Sequence, residues 1–294
     1  MHLFSRPHRR LILTIAVLFL FAVSGATGRA DAGSKAEVLA IGGAVTEIAF
    51  ALGQGHRLVA RDTTSTHPPE ARALPDVGYL RALSAEGVLS VGPSLIIADQ
   101  RAGPPETIAL LRASGIPYVE VPSAFEKNGL LRKIHIVGEA LGVPERANAL
   151  AEEVGDRLDR AMANARDAQT PPKRVLFVIS AEGGRILVGG EGTEADAIIR
   201  MSGAVNAAAE IRGYKPMTDE AIVRAAPEMI LVMTRTGAAE IAPEKILGLP
   251  ALSLTPAAET KSVAFIQGLL VLGFGPRTPE AVEDLSARLY PPKS

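Results

Sequence analysis

The 294-residue chain contains no cysteine, which excludes disulfide bonds, cysteine-ligated zinc, iron–sulfur clusters and thiol catalysis. It also contains no tryptophan, and aromatic residues make up only 4% of the chain. The formal net charge of −1 gives no support for a nucleic-acid binder. With 47% hydrophobic and 21% charged residues, the composition is that of a globular protein of one large or two modest domains.

Histidine is also scarce, and this limits the metal chemistry that the chain can support. Beyond residue 30 the histidines are His56, His67 and His135, and no His-x-x-x-His pair is present. A tight zinc or manganese site is therefore not expected. The glycine-rich stretch 189–196 lacks the Lys-Ser/Thr of a P-loop and is interpreted as a turn into a helix N-terminus. No Gly-x-Ser-x-Gly element or catalytic-triad spacing indicates a hydrolase.

Residues 1–30 have the three-part pattern of a secretory signal peptide, with cleavage expected within 26–32. Three arginines precede the apolar run Leu11–Val23, which is shorter than the about 20 residues of a membrane-spanning helix. An uncleaved anchor is the alternative. Four of the 31 basic residues and none of the 32 acidic residues lie in this segment, so the rest of the chain carries a net −5. We expect a soluble protein of a bacterial periplasm.

Beyond the leader, short apolar strands alternate with helices, which predicts parallel α/β architecture. Pro144–Ala168 differs, because a proline opens it and an apolar residue then recurs every four positions along one face. We predict an α/β lobe at 31–143, an interdomain long helix at 144–170 and a second α/β lobe at 171–294, each lobe with a parallel sheet. Strands are predicted at 37–43, 56–62, 94–99, 116–122 and 174–180, and helices at 44–53 and 106–114.

The two halves also contain a weak internal repeat. Ser84–Ile97 matches Thr218–Leu231 without a gap at an offset of 134, and Glu86 falls on Glu220. In each copy a hydroxyl residue precedes the acid, as at a helix N-terminus. We interpret the match as structural duplication, and two similar lobes would leave a cleft between them, which is a favoured ligand site.

Tyr79 lies between a proline-rich loop and the helix predicted to begin near Ser84. Gly78 lets a bulky ligand approach the backbone, and the guanidinium of Arg81 favours the phenolate form of the tyrosine. A hard anionic oxygen suits ferric iron, and tyrosine is a known axial ligand of haem iron. These residues alone leave two interpretations open: an iron ligand, or a tyrosine packed at a loop–helix junction.

The stretch Arg61–Asp99, with its Gly-Tyr-x-Arg-x-Leu-Ser-Ala-Glu element, resembles the haem-binding periplasmic proteins of bacterial haem ABC importers. The resemblance covers essentially all of the mature chain. The stretches that support it are Val38–Gly53, Gly192–Ala208, Gly213–Met233 and Leu272–Val282. The resemblance implies a class III periplasmic binding protein fold, with two α/β lobes bridged by a rigid helix. It implies a monomer that carries haem in the interlobe cleft to an inner-membrane ABC permease with its ATPase.

The resemblance also implies roles for single residues. Tyr79 is the expected axial iron ligand, and Arg81 supports the phenolate or pairs with a propionate. Arg235 is a candidate propionate partner in the second lobe. Glu86 and Glu220 match the acidic pair that docks such proteins, one per lobe, on basic residues of the permease.

Other features of the resemblance keep alternatives open. Tyr214, in a family-like Gly-Tyr-Lys-Pro, borders the cleft or packs in the core. Some relatives carry a histidine after the first strand of the second lobe, where this chain has Ala181 and Glu182. We therefore favour one five-coordinate haem on Tyr79, with Met233 as an alternative sixth ligand.

Two further hypotheses concern the cargo and the class of protein. The lobe-and-helix outline also fits relatives that bind cobalamin or a ferric siderophore. A periplasmic haem-modifying enzyme is the remaining hypothesis, although no nucleophile–base set is visible, and we expect a protein that is not an enzyme.

Overall fold

The computed structural model describes residues 37–167, 171–235 and 242–291, which belong to one compact unit. The predicted signal peptide 1–30 and its cleavage region 26–32 lie outside the described residues. Within the described ranges, every helix is too short or too polar to cross a membrane.

The first half of the described chain builds a four-stranded sheet in which all neighbouring strands are parallel, in the order β2-β1-β3-β4. Its strands are β1 (Val38–Ile41), β2 (Leu58–Arg61), β3 (Leu95–Asp99) and β4 (Tyr118–Val121). Its helices are α1 (Gly43–Ala51), α2 (Ala85–Ser90), α3 (Pro105–Ala113) and α4 (Lys127–Ala140). The parallel arrangement predicted for this half is confirmed. Parallel strands are covered on both faces and therefore have continuous apolar sequences, as in the fully buried β1.

The long helix α5 (Pro144–Asp167) follows and begins at the predicted Pro144, while residues 168–170 of the predicted helix lie outside the described residues. Its apolar stripe is buried at Val154 and Leu158, and the helix packs against α4. On the other side it contacts α11 (Thr278–Leu289), where Arg157 donates to the carboxylate of Glu283 at 3.0 and 2.6 Å. The helix thus packs against elements from both halves of the chain.

The second half builds a six-stranded sheet along the path β10-β9-β5-β6-β8, with β7 beside β5. Its strands are β5 (Arg174–Glu182), β6 (Arg185–Gly189), β7 (Val205–Asn206), β8 (Tyr214–Met217), β9 (Met229–Thr234) and β10 (Val263–Gln267). Its helices before α11 are α6 (Glu194–Met201), α7 (Asp219–Ala225), α8 (Pro243–Leu247), α9 (Pro256–Glu259) and α10 (Gly268–Leu272).

The second sheet differs from the predicted all-parallel one, because β6 runs antiparallel to both of its neighbours, β5 and β8. The cause is a two-residue hairpin at Gly183 and Gly184, whose φ angles of 60° and 74° suit the left-handed turn that joins β5 to β6. The strands β5, β7, β9 and β10 keep the predicted parallel pairing. The domain limits 31–143, 144–170 and 171–294 stay a prediction.

The internal repeat corresponds to equivalent elements in the two sheets. Helix α2 leads into β3, and α7 leads into β9, at the offset of 134 residues. Each of these strands lies between the first strand of its half and a later parallel strand, in the orders β1-β3-β4 and β5-β9-β10. A single core cluster then joins both sheets, since it includes Val38 and Ala40 of β1 and Val175 and Phe177 of β5.

Candidate functional site

A cleft of about 620 Å³ opens where parallel strands of both sheets end, and it is lined by residues from both halves of the chain. This volume is within the usual range of about 300–1,000 Å³ for ligand pockets. The carboxyl ends of parallel strands are the usual place for ligands in α/β folds. The lining residues are Gly42, Gly43, Ala44, Thr63, Thr64, Thr66, Tyr79, Leu80, Arg81, Arg101, Ile179, Ser180, Leu187, Glu194, Tyr214, Met233, Thr234, Arg235, Gly268, Leu269, Leu272 and Gly273.

The buried carboxylate of Asp62 shapes one wall of the cleft. It accepts hydrogen bonds from the backbone of Gly42 at 2.8 Å and of Thr64 at 2.9 Å, and from the hydroxyls of Thr64 at 2.6 Å and Ser65 at 2.7 Å. Gly42 has a φ of 106°, and a side chain there would press against Asp99. The loop that carries the cleft threonines is thereby fixed to the end of β1.

Tyr79 lies in the cleft lining with 46% of its surface exposed. Its backbone is fixed, because the preceding Gly78 receives a hydrogen bond from the Thr63 amide at 2.9 Å and donates to Asp76 at 2.8 Å. Arg81 lines the cleft two residues later. In the part of the chain that the structure describes, neither side chain has a hydrogen-bond or ion-pair partner. The structure therefore leaves the phenol and the guanidinium available to a ligand.

An ionic network crosses the cleft floor from one half of the chain to the other. Arg101 donates to the Asp99 carboxylate at 2.8 and 2.9 Å and also pairs with Glu194 at the start of α6. Glu194 is 2% exposed and accepts a hydrogen bond from the Tyr214 hydroxyl at 2.8 Å. Ser123 donates to Asp99 at 2.8 Å.

The network fixes the protonation state of its members. Burial alone would raise the pKa of Asp99, but the hydrogen bonds and charge of Arg101 outweigh it and lower the pKa to about 2. Burial raises the pKa of Tyr214 to about 12, so this phenol is neutral at physiological pH and already donates to Glu194. Of the two cleft tyrosines, Tyr79 alone has an unengaged hydroxyl.

The other wall of the cleft carries the remaining predicted residues. Arg235 is exposed just after β9 and, among the described residues, has no ion-pair partner. Met233 lines the cleft and also packs against the core. Tyr214 also lines the cleft and packs against the core, so its two predicted locations are compatible. Arg81 and Arg235 thus supply two unpaired cations from opposite halves of the chain.

Glu86 and Glu220 lie outside the cleft lining, on the exposed first turns of α2 and α7. Both helices are capped in the same way: Ser84 accepts from the Gly87 amide at 3.2 Å, and Thr218 accepts from the Ala221 amide at 3.3 Å. The hydroxyl-before-acid pattern of the sequence therefore marks true N-caps.

Asp99, Arg101 and Glu194 belong to the site but were not predicted from the sequence. Asp99 is the last residue of a predicted parallel strand, and Glu194 follows the N-cap Thr193, so both positions carried a weak signal. Their connection through Arg101 spans 93 residues and had no local signal. The described residues contain no group of three or more His, Asp or Glu side chains arranged for a metal ion.

Comparison with known proteins places this architecture in one family. A family model described as periplasmic binding protein matches residues 38–268. The uncharacterized ABC transporter substrate-binding lipoprotein YvrC of Bacillus subtilis (strain 168) is 29% identical over 248 residues, 84% of this chain and 77% of its own. A vitamin B12-binding protein of Pectobacterium atrosepticum is 25% identical over 198 residues, 66% of this chain and 70% of its own.

Solved structures are similar over almost the whole described chain. The periplasmic heme-binding protein RhuT from Roseiflexus sp. RS-1, in apo form, is 37% identical with a TM-score of 0.82, covering 88% of this chain and 98% of its own. The periplasmic heme-binding protein BhuT in complex with two hemes is 42% identical with a TM-score of 0.79, covering 86% and 97%.

Proposed function

This chain is a member of the periplasmic binding protein family, and we propose that it binds haem in its cleft and delivers it to an inner-membrane ABC importer. Support comes from similar structures that are described as periplasmic heme-binding proteins and are 37% and 42% identical to this chain. Binding proteins of this family serve transporters and are not enzymes.

The observation that carries the proposal is the phenol of Tyr79 in a cleft that also holds the guanidinium groups of Arg81 and Arg235, all three without a partner among the described residues. Ferric iron favours a hard anionic oxygen, and a neighbouring cation stabilises the phenolate. Tyr214 is less suited to this role, because burial raises its pKa to about 12 and its hydroxyl donates to Glu194. We assign Tyr79 as the axial ligand of a single five-coordinate haem.

The two arginines fit the carboxylate groups of the same ligand. Arg81 and Arg235 lie on opposite walls and can each pair with one propionate, since guanidinium–carboxylate contacts are strong charge-assisted hydrogen bonds. Each arginine-to-alanine substitution should weaken haemin binding by about tenfold, and raised salt should reduce the effect. Arg160→Ala, on an exposed position of α5, is the control and should leave haemin affinity unchanged.

The route and the partner belong to the same proposal. Residues 1–30 direct the chain to the periplasm as a cleavable signal peptide, and the mature protein acts as a monomer. Glu86 and Glu220 dock it on basic residues of the permease. The net −5 charge of residues 31–294 suits such a partner.

The test is an absorbance titration of a chain beginning at residue 31 with haemin, repeated in the presence of cyanocobalamin or a ferric siderophore. We expect a high-spin ferric haem spectrum that neither competitor reverses. Cobalamin is the second candidate because of the B12-binding relative. Tyrosine fluorescence quenching by cyanocobalamin, with no haem spectrum on adding haemin, would establish it instead.

A further inference from the structure

Helices α2 and α7 carry similar residues at several corresponding positions. The N-caps Ser84 and Thr218, the exposed acids Glu86 and Glu220, and the buried Val88 and Ile222 all correspond at the offset of 134. The match extends to an exposed apolar side chain on each helix.

That apolar pair consists of Leu89, 38% exposed, and Val223, 37% exposed, which also lie 134 residues apart. Single exposed apolar side chains are common and carry no argument alone. Among the large apolar side chains that the described residues leave exposed, however, only these two are related by the repeat. The full set is Tyr79, Leu89, Leu110, Val205, Val223 and Leu254.

Each apolar side chain shares a helix face with an acid. Leu89 follows Glu86 by three residues, and Val223 follows Glu220 by three, the spacing that brings side chains together on a helix surface. Within the described ranges, neither carboxylate has an ion-pair or hydrogen-bond partner. Among the residues that the structure describes, each helix therefore presents an unpaired acid beside one exposed apolar group, and α7 carries Asp219 as a second exposed acid.

Both helices begin a few residues after a residue that lines the cleft. The cap of α2 is three residues after the cleft residue Arg81, and the cap of α7 is four residues after Tyr214. A partner that contacts both helices would therefore contact both halves of the chain.

We propose that Leu89 and Val223 are the apolar anchors of a two-part docking surface for the permease, each inserted beside the basic residue that receives Glu86 or Glu220. The proposal rests on the proposed function, which supplies the permease as partner. Two patches of the same design fit a partner with two equivalent sites, each a cation next to an apolar recess. The acids guide and orient the encounter, and the anchors supply the contact that keeps it bound.

The probes are the ABC permease–ATPase complexes of the organism that encodes this chain, purified in nanodiscs. The complex used for the comparison is the one whose ATP hydrolysis is stimulated most by haem-loaded wild-type protein. The variants are Leu89→Gln, Val223→Gln and the double substitution, with Leu110→Gln and Leu254→Gln as controls at more exposed positions outside the repeat. We expect each anchor variant to raise the half-stimulating concentration by about fivefold and the double variant by about twenty-fivefold, if the two sites act independently.

Haemin titration of the same preparations tests the proposed function separately, and the anchor variants should bind haemin as the wild type does. The docking proposal would be overturned if the anchor variants had the half-stimulating concentration of the wild type. It would also be overturned if the control variants raised that concentration as much as the anchor variants do. Wild-type protein that stimulates none of the complexes would overturn it as well. A dimer of the mature protein that the double substitution dissociates would identify a second copy of the chain as the occupant and overturn it too.

Discussion

Arg101 is the residue that joins the two walls of the cleft, because one guanidinium group binds the carboxylates of Asp99 and Glu194. The ring of Phe125 lies 5.6 Å from the centre of that guanidinium and shields it. Since Glu194 also receives the Tyr214 hydroxyl, the network keeps one cleft tyrosine engaged while the other stays open. The two cleft tyrosines therefore differ in whether their hydroxyl group is available to a ligand.

The Asp99 carboxylate should make folding depend on acid pH. Its pKa is about 2 in the folded protein and near 3.8 when unperturbed, so its ion pair contributes stability above about pH 4. That contribution, on the order of 2 kcal/mol, is lost as the pH falls from about 4 towards 2. Urea unfolding across this range should therefore show the stability difference between wild type and Asp99→Asn shrinking with acid.

Glu120 supplies the matched control, because it pairs with Arg112 at 2.6 Å in a solvent-exposed ion pair. Glu120→Gln should cost less than about 1 kcal/mol at neutral pH. A stability difference for Asp99→Asn that stays constant from pH 6 to pH 2 would contradict the role given to this carboxylate.

Among the helices, α4 and α5 pack closely because small residues meet at their contact. A Cβ atom on Gly138 would overlap that of Ala147, whereas one on Gly155 would meet the Leu131 methyls and Lys127 at 3.5 Å, an ordinary contact. Gly138→Ala should therefore lower the free energy of unfolding by about 1–3 kcal/mol. Gly155→Ala should raise it by about 0.5–1 kcal/mol through helix propensity.

Denaturant unfolding followed by far-UV circular dichroism measures both alanine variants. Equal effects of the two substitutions would show that close packing at Gly138 does not hold α4 against α5.

The elements that could be predicted from sequence are those with local signals. The presence of helix α5 and its start at Pro144 were predicted because its opening proline and apolar stripe are local features. The strand predicted at 94–99 is Leu95–Asp99 for the same reason. The hairpin strand β6 was missed, although Gly183-Gly184 is a local signal for the reversal. Strand β8 (Tyr214–Met217) was missed because its mostly exposed residues have no apolar strand pattern.

Within the cleft, too, the residues that could be predicted were those with a local sequence signal. Tyr79, Arg81, Tyr214, Met233 and Arg235 were proposed from sequence, and the structure brings all five to one lining. The floor network was missed, because its partners come from distant segments and have no common motif. The roles of these residues remain proposals.

At the scale of the whole molecule, the two sheets share one apolar core and are also joined by polar contacts. Arg277 donates to Glu47 at 3.2 and 2.6 Å, and Lys133 donates to the carbonyl of Phe274 at 3.1 Å. Burial lowers the pKa of Lys133 to about 8, which reflects how little water reaches this contact.

A shared core predicts one cooperative unfolding transition for the mature protein. Far-UV circular dichroism and tyrosine fluorescence should report the same urea midpoint, because Tyr79 and Tyr118 lie in the first half and Tyr214 and Tyr290 in the second. Saturating haemin should raise that midpoint. Two separated transitions would indicate lobes that fold independently.

The assignment of Tyr79 as the iron ligand is tested most directly by the absorption spectrum of the ferric haem complex in tyrosine-to-phenylalanine variants. Phenylalanine keeps the ring and removes only the oxygen. Wild type, Tyr214→Phe and the control Tyr118→Phe should share a high-spin spectrum with a phenolate-to-iron charge-transfer band. Tyr79→Phe should lose that band and bind haemin at least about tenfold more weakly. An unchanged spectrum and affinity in Tyr79→Phe would contradict the assignment.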